Sequence, residues 1–371
     1  MGAKPRRIRL GILFGGKSGE HEVSLTSAAS VIGALPADEF EITALGITKE
    51  GRLASAAEVR RMLPAHLHGR VEPRGALEAG DSGMRVGALQ TARRGNSHAP
   101  PEIVFPLLHG PYGEDGTIQG LLETAGIPYV GCGVLASAVG MDKDVMKRLF
   151  TQEGLAVVPY LVVPSRHWRE RLSALRRAVR EELGYPAFSK PANLGSSVGV
   201  RKIHSEKELE GSIAYAAEFD RKVIIEKGID ARELECAILG NDDPEASGVG
   251  EVISAHEFYD YRAKYHAPAS RLEIPARVPA ETADQVRRMA LGAFRAIDGA
   301  GLARVDFFLE RKTGKIFVNE INTMPGFTPI SMYAKLWAAS GLPFEALVRR
   351  LVELGGERHV ERKGRRVSGD D

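Results

Sequence analysis

The sequence is poor in cysteine and in long apolar runs. Two of its 371 residues are cysteines, Cys132 and Cys236, and neither belongs to a CxxC or Cys/His spacing. The sequence therefore excludes a disulfide framework and a structural zinc site, and it predicts reduced thiols in a cytoplasmic protein. The first apolar run follows a basic start and is interrupted by Arg9, and no run is long enough to cross a bilayer. We expect neither a signal peptide nor membrane insertion.

An excess of charge of one sign is also absent. The 50 Lys and Arg residues against 48 Asp and Glu residues leave a formal charge of +2 at pH 7. This balance gives no indication of a nucleic-acid partner. A chain of 371 residues exceeds what one hydrophobic core usually serves, so we expect two or three domains.

The first part of the chain, 1–140, alternates between strand and helix patterns. Apolar strand patterns at 8–14, 40–47 and 101–110, with a helix pattern near 23–34, predict an α/β domain with a parallel sheet. Between the second and third strands, the stretch 50–100 has no clear period and contains many Gly, Ala and Arg residues. We interpret it as a surface insertion.

The remainder of the chain follows a mixed α+β pattern. It divides into a central unit at 141–227 and a carboxy-terminal unit at 228–357, so that the chain as a whole is a multidomain protein of the α/β and α+β classes. The last segment, 358–371, is charged and contains glycine, which predicts a disordered tail.

A predicted hairpin over 301–321 carries polar residues on one face. Because side chains alternate along a strand, Arg304 and Asp306 share a face, and the five-residue loop between the strands sets Asp306 opposite Glu320. The same register sets Arg304 opposite Asn322. Facing carboxylates are destabilising without a cation, and these oxygen ligands suit magnesium or manganese. A polar outer face in which Arg304 bridges both acids is an equally good explanation of the hairpin alone.

Other segments have features that suit a nucleotide. The stretch 190–200 has a lysine at a strand end followed by a Gly/Ser loop, whose amides and hydroxyls suit phosphate oxygens, although it lacks the order of a Walker A loop. Taken alone, a flexible hairpin is its commoner explanation. Lys143 begins a helix, and the acids Glu226 and Glu233 at strand ends suit an adenine amino group and ribose hydroxyls. Each of these residues alone is more often simply solvated.

Taken together, these segments resemble those of the D-alanyl-D-alanine ligases of the ATP-grasp superfamily, in the same order. The resemblance covers nearly the whole chain outside 50–100 and the tail. The segments are GGKSGEHEVS (15–24), HGPYGEDGTIQG (109–120), MDK (141–143), KPANLGSSVGV (190–200), IEKGIDARELECAIL (225–239), EFYDYRAKY (257–265), GLARVDFF (301–308) and NEINTMPGFTPISMY (319–333).

The resemblance implies an ATP-grasp fold preceded by an amino-terminal parallel-sheet domain that binds the first D-alanine. It implies ATP- and magnesium-dependent ligation of two D-alanine molecules through an acyl phosphate, for peptidoglycan precursor synthesis, by a homodimer. Asp306, Glu320 and Asn322 resemble the ligands of two magnesium ions, with manganese as an alternative metal. The residues that resemble the ATP contacts are Lys143, Lys190, Ser197 and Lys264 on the phosphates, and Glu226, Lys227, Ile229 and Glu233 on adenine and ribose.

The same resemblance implies roles around the two D-alanine molecules. Glu20 and His109 are similar to the residues that hold the first, and Ser331 and Met332 to those that meet the second. Arg304 and the Gly326 amide resemble the pair that stabilises an oxyanion. Ser196 and Tyr265 would hydrogen-bond with Glu20 and fasten a loop over the site.

Two further classes of function stay open at this point. One is another ATP-grasp carboxylate–amine ligase with different amino or hydroxy acids, for which Glu20, Tyr265 and Met332 are the discriminating positions. The other is a nucleotide-binding regulator without turnover, although no metal or phosphate ligand is substituted. Tyr265 favours D-alanine as the second substrate, and no residue stands out as the general base for the incoming amine.

Overall fold

The computed structural model describes residues 6–73, 100–253 and 271–365, which form thirteen strands in three sheets. The strands are β1 (Ile8–Gly15), β2 (Phe40–Ile47), β3 (Val71–Pro73), β4 (Ile103–Leu107), β5 (Tyr160–Pro164), β6 (Ala187–Pro191), β7 (Arg201–Ile203), β8 (Lys222–Lys227), β9 (Ala231–Gly240), β10 (Glu245–Ile253), β11 (Arg271–Glu273), β12 (Gly301–Glu310) and β13 (Ile316–Asn322).

Eight of the ten α-helices in the described part of the chain lie between these strands in the sequence, and two follow the last strand. The α-helices are α1 (His21–Ala34), α2 (Ala56–Met62), α3 (Thr117–Thr124), α4 (Val134–Met141), α5 (Lys143–Gln152), α6 (Leu172–Ala178), α7 (Glu206–Ala216), α8 (Ala280–Ala296), α9 (Met332–Ala339) and α10 (Phe344–Lys363). Within the described ranges, none of them has the length and apolar character that a membrane crossing requires.

The first sheet is parallel, as predicted, with the strand order β3-β2-β1-β4. Small residues on the buried face of α1 let this helix approach the sheet closely. Ser24 accepts a hydrogen bond from the Gly15 amide at 2.7 Å and donates to the Leu107 carbonyl. The start of α1 is thereby fixed at the carboxyl ends of β1 and β4, where ligands of parallel sheets usually bind.

The interpretation of 50–100 as a surface insertion is wrong for its first part. Residues from Ala56 onward form α2, which begins with a capping box between Ser55 and Glu58. Val59 on this helix is fully buried. Strand β3 then adds a fourth parallel strand beside β2. Residues 74–99 lie outside the described part of the chain.

The prediction of a disordered tail from 358 onward is also wrong in part, because α10 continues to Lys363. Leu351, Val352 and Leu354 bury its apolar side, and its charged side carries ion pairs along the helix, such as Arg350 with Glu357 at 2.7 Å. Pairs of this kind support helix in a sequence that looks too charged to fold. Residues 366–371 lie outside the described part.

The second and third sheets are antiparallel, with the orders β5-β8-β6-β7 and β11-β10-β9-β12-β13. Helices α6 and α7 pack on the second sheet around a core that includes Val163, Trp168 and Ile213. Helices α5 and α8 cover one face of the third sheet, around Phe150, Phe294 and other apolar residues. The predicted α+β organisation of this part of the chain is therefore confirmed. The opposite face of the third sheet, which α9 and α10 cover in part, carries the polar residues of the predicted hairpin.

Candidate active site

The hairpin of β12 and β13 has the register that the sequence predicts at its polar residues. Asp306 is opposite Glu320, and Arg304 is opposite Asn322. The strands nearer the loop are offset by one residue, with Leu309 opposite Ile316, and a bulge between the Asp306 and Phe307 pairs restores the alignment. A bulge re-aims the side chains next to it, so the two carboxylates are presented on the same face despite the offset.

A third acid, which the sequence analysis missed, extends this row. Glu235 on β9 is opposite Asp306 on its other side, so three carboxylates lie side by side across β9, β12 and β13. Arg304 neutralises two of them, with its Nε atom 2.7 Å from Asp306 Oδ1 and 2.8 Å from Glu235 Oε2. Burial disfavours a charged guanidinium, but the two acids outweigh burial and raise the pKa of Arg304 well above its ordinary value.

The remaining donors fit a divalent ion that also binds phosphate. Asn322 donates from Nδ2 to Asp306 Oδ2 at 3.0 Å, which holds the amide beside the carboxylates. In the described ranges, no group of three or more His, Cys, Asp or Glu side chains is arranged to hold a metal. Magnesium usually takes only one or two protein carboxylates, together with substrate phosphates and water. Asp306, Glu320 and Asn322 are a suitable partial shell for that ion.

Lys143 connects this hairpin to the Gly/Ser loop. Its Nζ atom lies 3.6 Å from Glu320 Oε2 and donates to the Leu194 carbonyl at 2.7 Å. Its amide donates to the Ala192 carbonyl at 3.0 Å, which fixes the start of α5 against the loop. Asp142 caps α5 and pairs with Lys222 at 2.6 Å. A single lysine therefore contacts both the predicted metal site and the predicted phosphate loop.

The loop after β6 is held at both its base and its tip. At the base, the Asn193 amide and side chain both donate to Asp220 Oδ2. At the tip, Ser196 and Ser197 have φ angles of 51° and 57°, a left-handed conformation that non-glycine residues adopt rarely. Ser196 donates from its hydroxyl to Glu20 Oε1 at 2.5 Å. The predicted contact between Ser196 and Glu20 is present in the structure.

Two lysines converge on Glu226, near the end of β8. Lys190 Nζ lies 2.5 Å from Glu226 Oε2, and Lys147 Nζ lies 2.6 Å from Glu226 Oε1. The sequence analysis did not single out Lys147. The one signal for it is that it lies four residues after Lys143 on α5, hence on the same face of that helix.

His109 is a buried residue on the Glu20 side of the site. Its ring nitrogens contact the Ser27 hydroxyl at 3.0 Å and the Met324 carbonyl at 3.1 Å. Glu114 lies 3.4 Å from Nδ1. Burial disfavours the imidazolium, but the hydrogen bond and charge of Glu114 outweigh it and raise the pKa of His109. Both ring nitrogens thus have protein partners.

The segment after β13 forms the last wall of the site. Ser331 precedes the first turn of α9, and its hydroxyl lies 2.8 Å from the Thr328 hydroxyl. The Met332 side chain is buried in the core, which leaves its backbone as the part available to a ligand. Gly326 is partly exposed in the same segment.

The predicted nucleotide-base residues lie at the junction of β8 and β9. The Lys227 amide donates to the Pro159 carbonyl at 2.9 Å and its side chain is exposed. Ile229 is partly exposed beyond it, and Glu233 on β9 is opposite Phe308. Two predicted site residues, Lys264 and Tyr265, lie outside the described part of the chain.

Comparisons with known proteins show which family this chain is similar to. A family model described as D-ala D-ala ligase N-terminus matches residues 9–132, and one described as D-ala D-ala ligase C-terminus matches residues 149–353. A D-alanine–D-alanine ligase of Heliobacterium modesticaldum is 48% identical over 363 residues, which cover 95% of this chain and 96% of that protein. One of Acetivibrio thermocellus is 46% identical over 374 residues, with coverages of 97% and 98%.

Two solved structures are also similar. The VanG D-Ala:D-Ser ligase from Enterococcus faecalis has a TM-score of 0.79 and 33% identity, covering 94% of this chain and 100% of that chain. The D-alanine-D-alanine ligase from Coxiella burnetii has a TM-score of 0.77 and 32% identity, with 97% of each chain covered.

Proposed function

Because the chain belongs to the D-alanine–D-alanine ligase family, we propose that it joins two molecules of D-alanine into D-alanyl-D-alanine for peptidoglycan precursor synthesis, converting ATP to ADP and phosphate. The observation that carries this proposal is the position of Lys143, whose ammonium contacts both the Gly/Ser loop and the acid of the hairpin. A nucleotide bound there would have its phosphates between the loop and the carboxylates.

The chemistry requires that a carboxylate be made electrophilic. A free carboxylate reacts poorly with an amine, so the first D-alanine attacks the γ-phosphorus of ATP through a carboxylate oxygen and releases ADP. The amine of the second D-alanine then attacks the acyl carbon and phosphate leaves. The tetrahedral intermediate carries negative charge on oxygen, which Arg304 and the Gly326 amide would stabilise by donating hydrogen bonds.

The nucleotide would be held by the residues that surround Lys143. Lys143, Lys190 and Lys264 supply positive charge for the phosphates, and Ser197 supplies a donor from the loop. Glu226, Lys227, Ile229 and Glu233 would contact adenine and ribose. Asp306, Glu320 and Asn322 would hold two magnesium ions, or manganese, which when bound neutralise charge on the transferring phosphoryl group.

The amino acids would lie at the opposite end of the loop. Glu20 would hold the ammonium of the first D-alanine, supported by His109, while Ser331 and the Met332 backbone would meet the second. Ser196 already bonds to Glu20, so the loop and the ammonium site are coupled. We infer that Tyr265 joins this pair when substrate is bound, which would exclude water from the acyl phosphate.

Three further properties belong to this proposal. The unit boundaries at 140 and 227 are supported by three separate sheets, whereas the boundary at 357 falls within α10. Burial raises the pKa of Cys132 to about 11 and of Cys236 to about 12, and such unreactive thiols are compatible with a cytoplasmic enzyme. A homodimer is what the family leads us to expect.

The test is ADP release by the purified protein with ATP and magnesium, in the presence of D-alanine, L-alanine, D-alanine plus D-serine, or D-alanine plus D-lactate. We expect release that depends on D-alanine, and D-alanyl-D-alanine as the product identified by mass. D-Alanyl-D-serine as the main product would keep the mechanism and change the second substrate. ATP binding without release would contradict the proposal.

Gly110 offers a test of the role of Glu20. Gly110 has a φ of +72°, and a Cβ atom there would lie 2.7 Å from Glu20 Oε2. The substitution Gly110→Ala should displace this carboxylate and raise the KM for D-alanine about tenfold, with a smaller change in the KM for ATP. Steady-state kinetics in each substrate measures both values.

Gly126→Ala is the matched control for that substitution. Gly126 has a φ of +65°, and a Cβ atom there would have no neighbouring atom within 4 Å, so the backbone strain is similar and no carboxylate moves. An equal rise in the KM for D-alanine in both variants would show that backbone strain, rather than Glu20, causes the effect.

A further inference from the structure

Lys147 is a buried lysine that the mechanism above does not use. It lies on α5, and its side chain is fully buried. Glu226 is the one carboxylate within ion-pair distance of its ammonium among the described residues, at 2.6 Å. Burying an ammonium group is unfavourable unless a counter-charge compensates it. The position of Lys147 therefore depends on Glu226.

Glu226 is held by one lysine on each oxygen. Oε1 faces Lys147, and Oε2 accepts a hydrogen bond from Lys190 at 2.5 Å. Burial disfavours the carboxylate form of Glu226, but the two ammonium groups outweigh burial and lower its pKa. Glu226 and Lys147 are buried and Lys190 is partly buried, so this cluster carries one negative and two positive charges. One lysine would suffice to neutralise the carboxylate, so the second is available for another partner.

The two lysines differ in how free they are to move. Lys190 lies at the end of β6, where the Gly/Ser loop begins, and its side chain keeps 11% of its exposure. The Lys147 side chain keeps none of its exposure. A triphosphate bound at the loop would attract Lys190 away from Glu226, whereas Lys147 would stay. Glu226 Oε2 would then lose its donor at the moment when the base arrives.

We propose that Lys147 is a positioning residue for adenine selection: it holds Glu226 ionised and fixed through Oε1, so that Oε2 accepts the 6-amino group of adenine once Lys190 has moved to the phosphates. The inference rests on the proposed function, because it concerns the nucleotide site. In this proposal the two lysines have different roles: Lys190 binds the phosphates, and Lys147 positions Glu226, which binds the base. The exchange also couples binding of the triphosphate to recognition of the base.

The test compares nucleotides that differ at position 6 of the purine. In Lys147→Met, Lys190 becomes the only cation within ion-pair distance of Glu226 among the residues that the structure describes, so it should remain there and cover Oε2. We expect the ratio of kcat/KM for ATP to that for purine riboside triphosphate, which lacks the 6-amino group, to fall about tenfold from its wild-type value. ADP or purine riboside diphosphate release with D-alanine and magnesium measures this ratio.

The pH profile is a second readout that a purely structural role would not change. The carboxylate form of Glu226 is required, and its pKa is lowered in the intact cluster. Removing Lys147 takes away one of the two charges that lower this pKa, while burial continues to raise it. The acid limb of kcat/KM for ATP should therefore move to higher pH in Lys147→Met. An unchanged acid limb together with an unchanged nucleotide ratio would overturn the proposal.

The double variant Lys147→Met/Glu226→Gln protects the test from a folding failure, because it removes both charges of the pair. If Lys147 acts through Glu226, the double variant should have the nucleotide ratio of Glu226→Gln alone. Additive losses would overturn that route. Absence of ADP release by the wild type would overturn the proposed function as well, whereas an active wild type with unaltered selectivity in Lys147→Met would overturn only the role of Lys147.

Discussion

Replacing Glu320 with glutamine is expected to reduce kcat/KM for ligation by roughly 10³-fold, because a bound metal supplies several kcal/mol of charge stabilisation during phosphoryl transfer. Glutamine keeps the shape of the side chain and removes the charge opposite Asp306. Titration with Mn²⁺ in the presence of ADP, followed by electron paramagnetic resonance, should show weaker binding. This readout does not depend on turnover.

The fold should tolerate the Glu320→Gln substitution. It removes one of three neighbouring carboxylates, so repulsion in the row of Glu235, Asp306 and Glu320 decreases and the Tm should not fall. Glu310→Gln, near the loop end of the same hairpin, is the matched control and should retain activity. Near-normal turnover and Mn²⁺ affinity in Glu320→Gln would mean that Arg304 and Lys143 suffice to neutralise these acids and that the metal assignment is wrong.

Replacing Arg304 with lysine is expected to lower kcat by about 10²-fold with little change in the KM for ATP. Lysine keeps the positive charge between Asp306 and Glu235 but loses the planar fork that donates in two fixed directions. The retained charge avoids the roughly 3–5 kcal/mol destabilisation that follows when one partner of a buried ion pair is removed. Steady-state kinetics and thermal unfolding together separate the two effects.

Arg311→Lys is the control for Arg304→Lys. Arg311 lies just beyond β12, is exposed and pairs with Asp230 at 3.2 Å. Exposed pairs contribute little to stability, so this variant should match the wild type in kcat and Tm. A normal kcat in Arg304→Lys would exclude the guanidinium fork as the group that stabilises the oxyanion.

The hairpin shows how far local patterns can predict a site. Alternation along two strands and the length of one loop were sufficient to place Asp306 opposite Glu320, although the structure reaches this pairing through a bulge that no local pattern indicated. The predicted fold class, an ATP-grasp fold with an amino-terminal parallel-sheet domain, is confirmed. The hairpin register was predictable because β12 and β13 are long strands, with alternating burial along most of β12, whereas the ATP-grasp fold was implied by the resemblance to a known family.

The failures concern short elements and distant partners. Helix α2 has seven residues and β3 has three, which is too little for a hydrophobic period to be recognised. The end of α10 looks disordered because its charges are visible in the sequence and their pairing along the helix is not. Glu235 joins the site through its pairing with Asp306 on a neighbouring strand, and Lys147 joins it through the ion pair between α5 and β8. Both contacts are specified only by the tertiary fold.

Activation of D-alanine through an acyl phosphate is tested most directly by following the carboxylate oxygens of the substrate into the products. D-Alanine labelled with ¹⁸O in both carboxylate oxygens is supplied with ATP, magnesium and the enzyme, and the released phosphate is analysed by mass. If the carboxylate attacks the γ-phosphorus, each phosphate should carry one ¹⁸O and each dipeptide should keep one in its peptide carbonyl. Unlabelled phosphate, or label in AMP, would contradict activation through an acyl phosphate at this site.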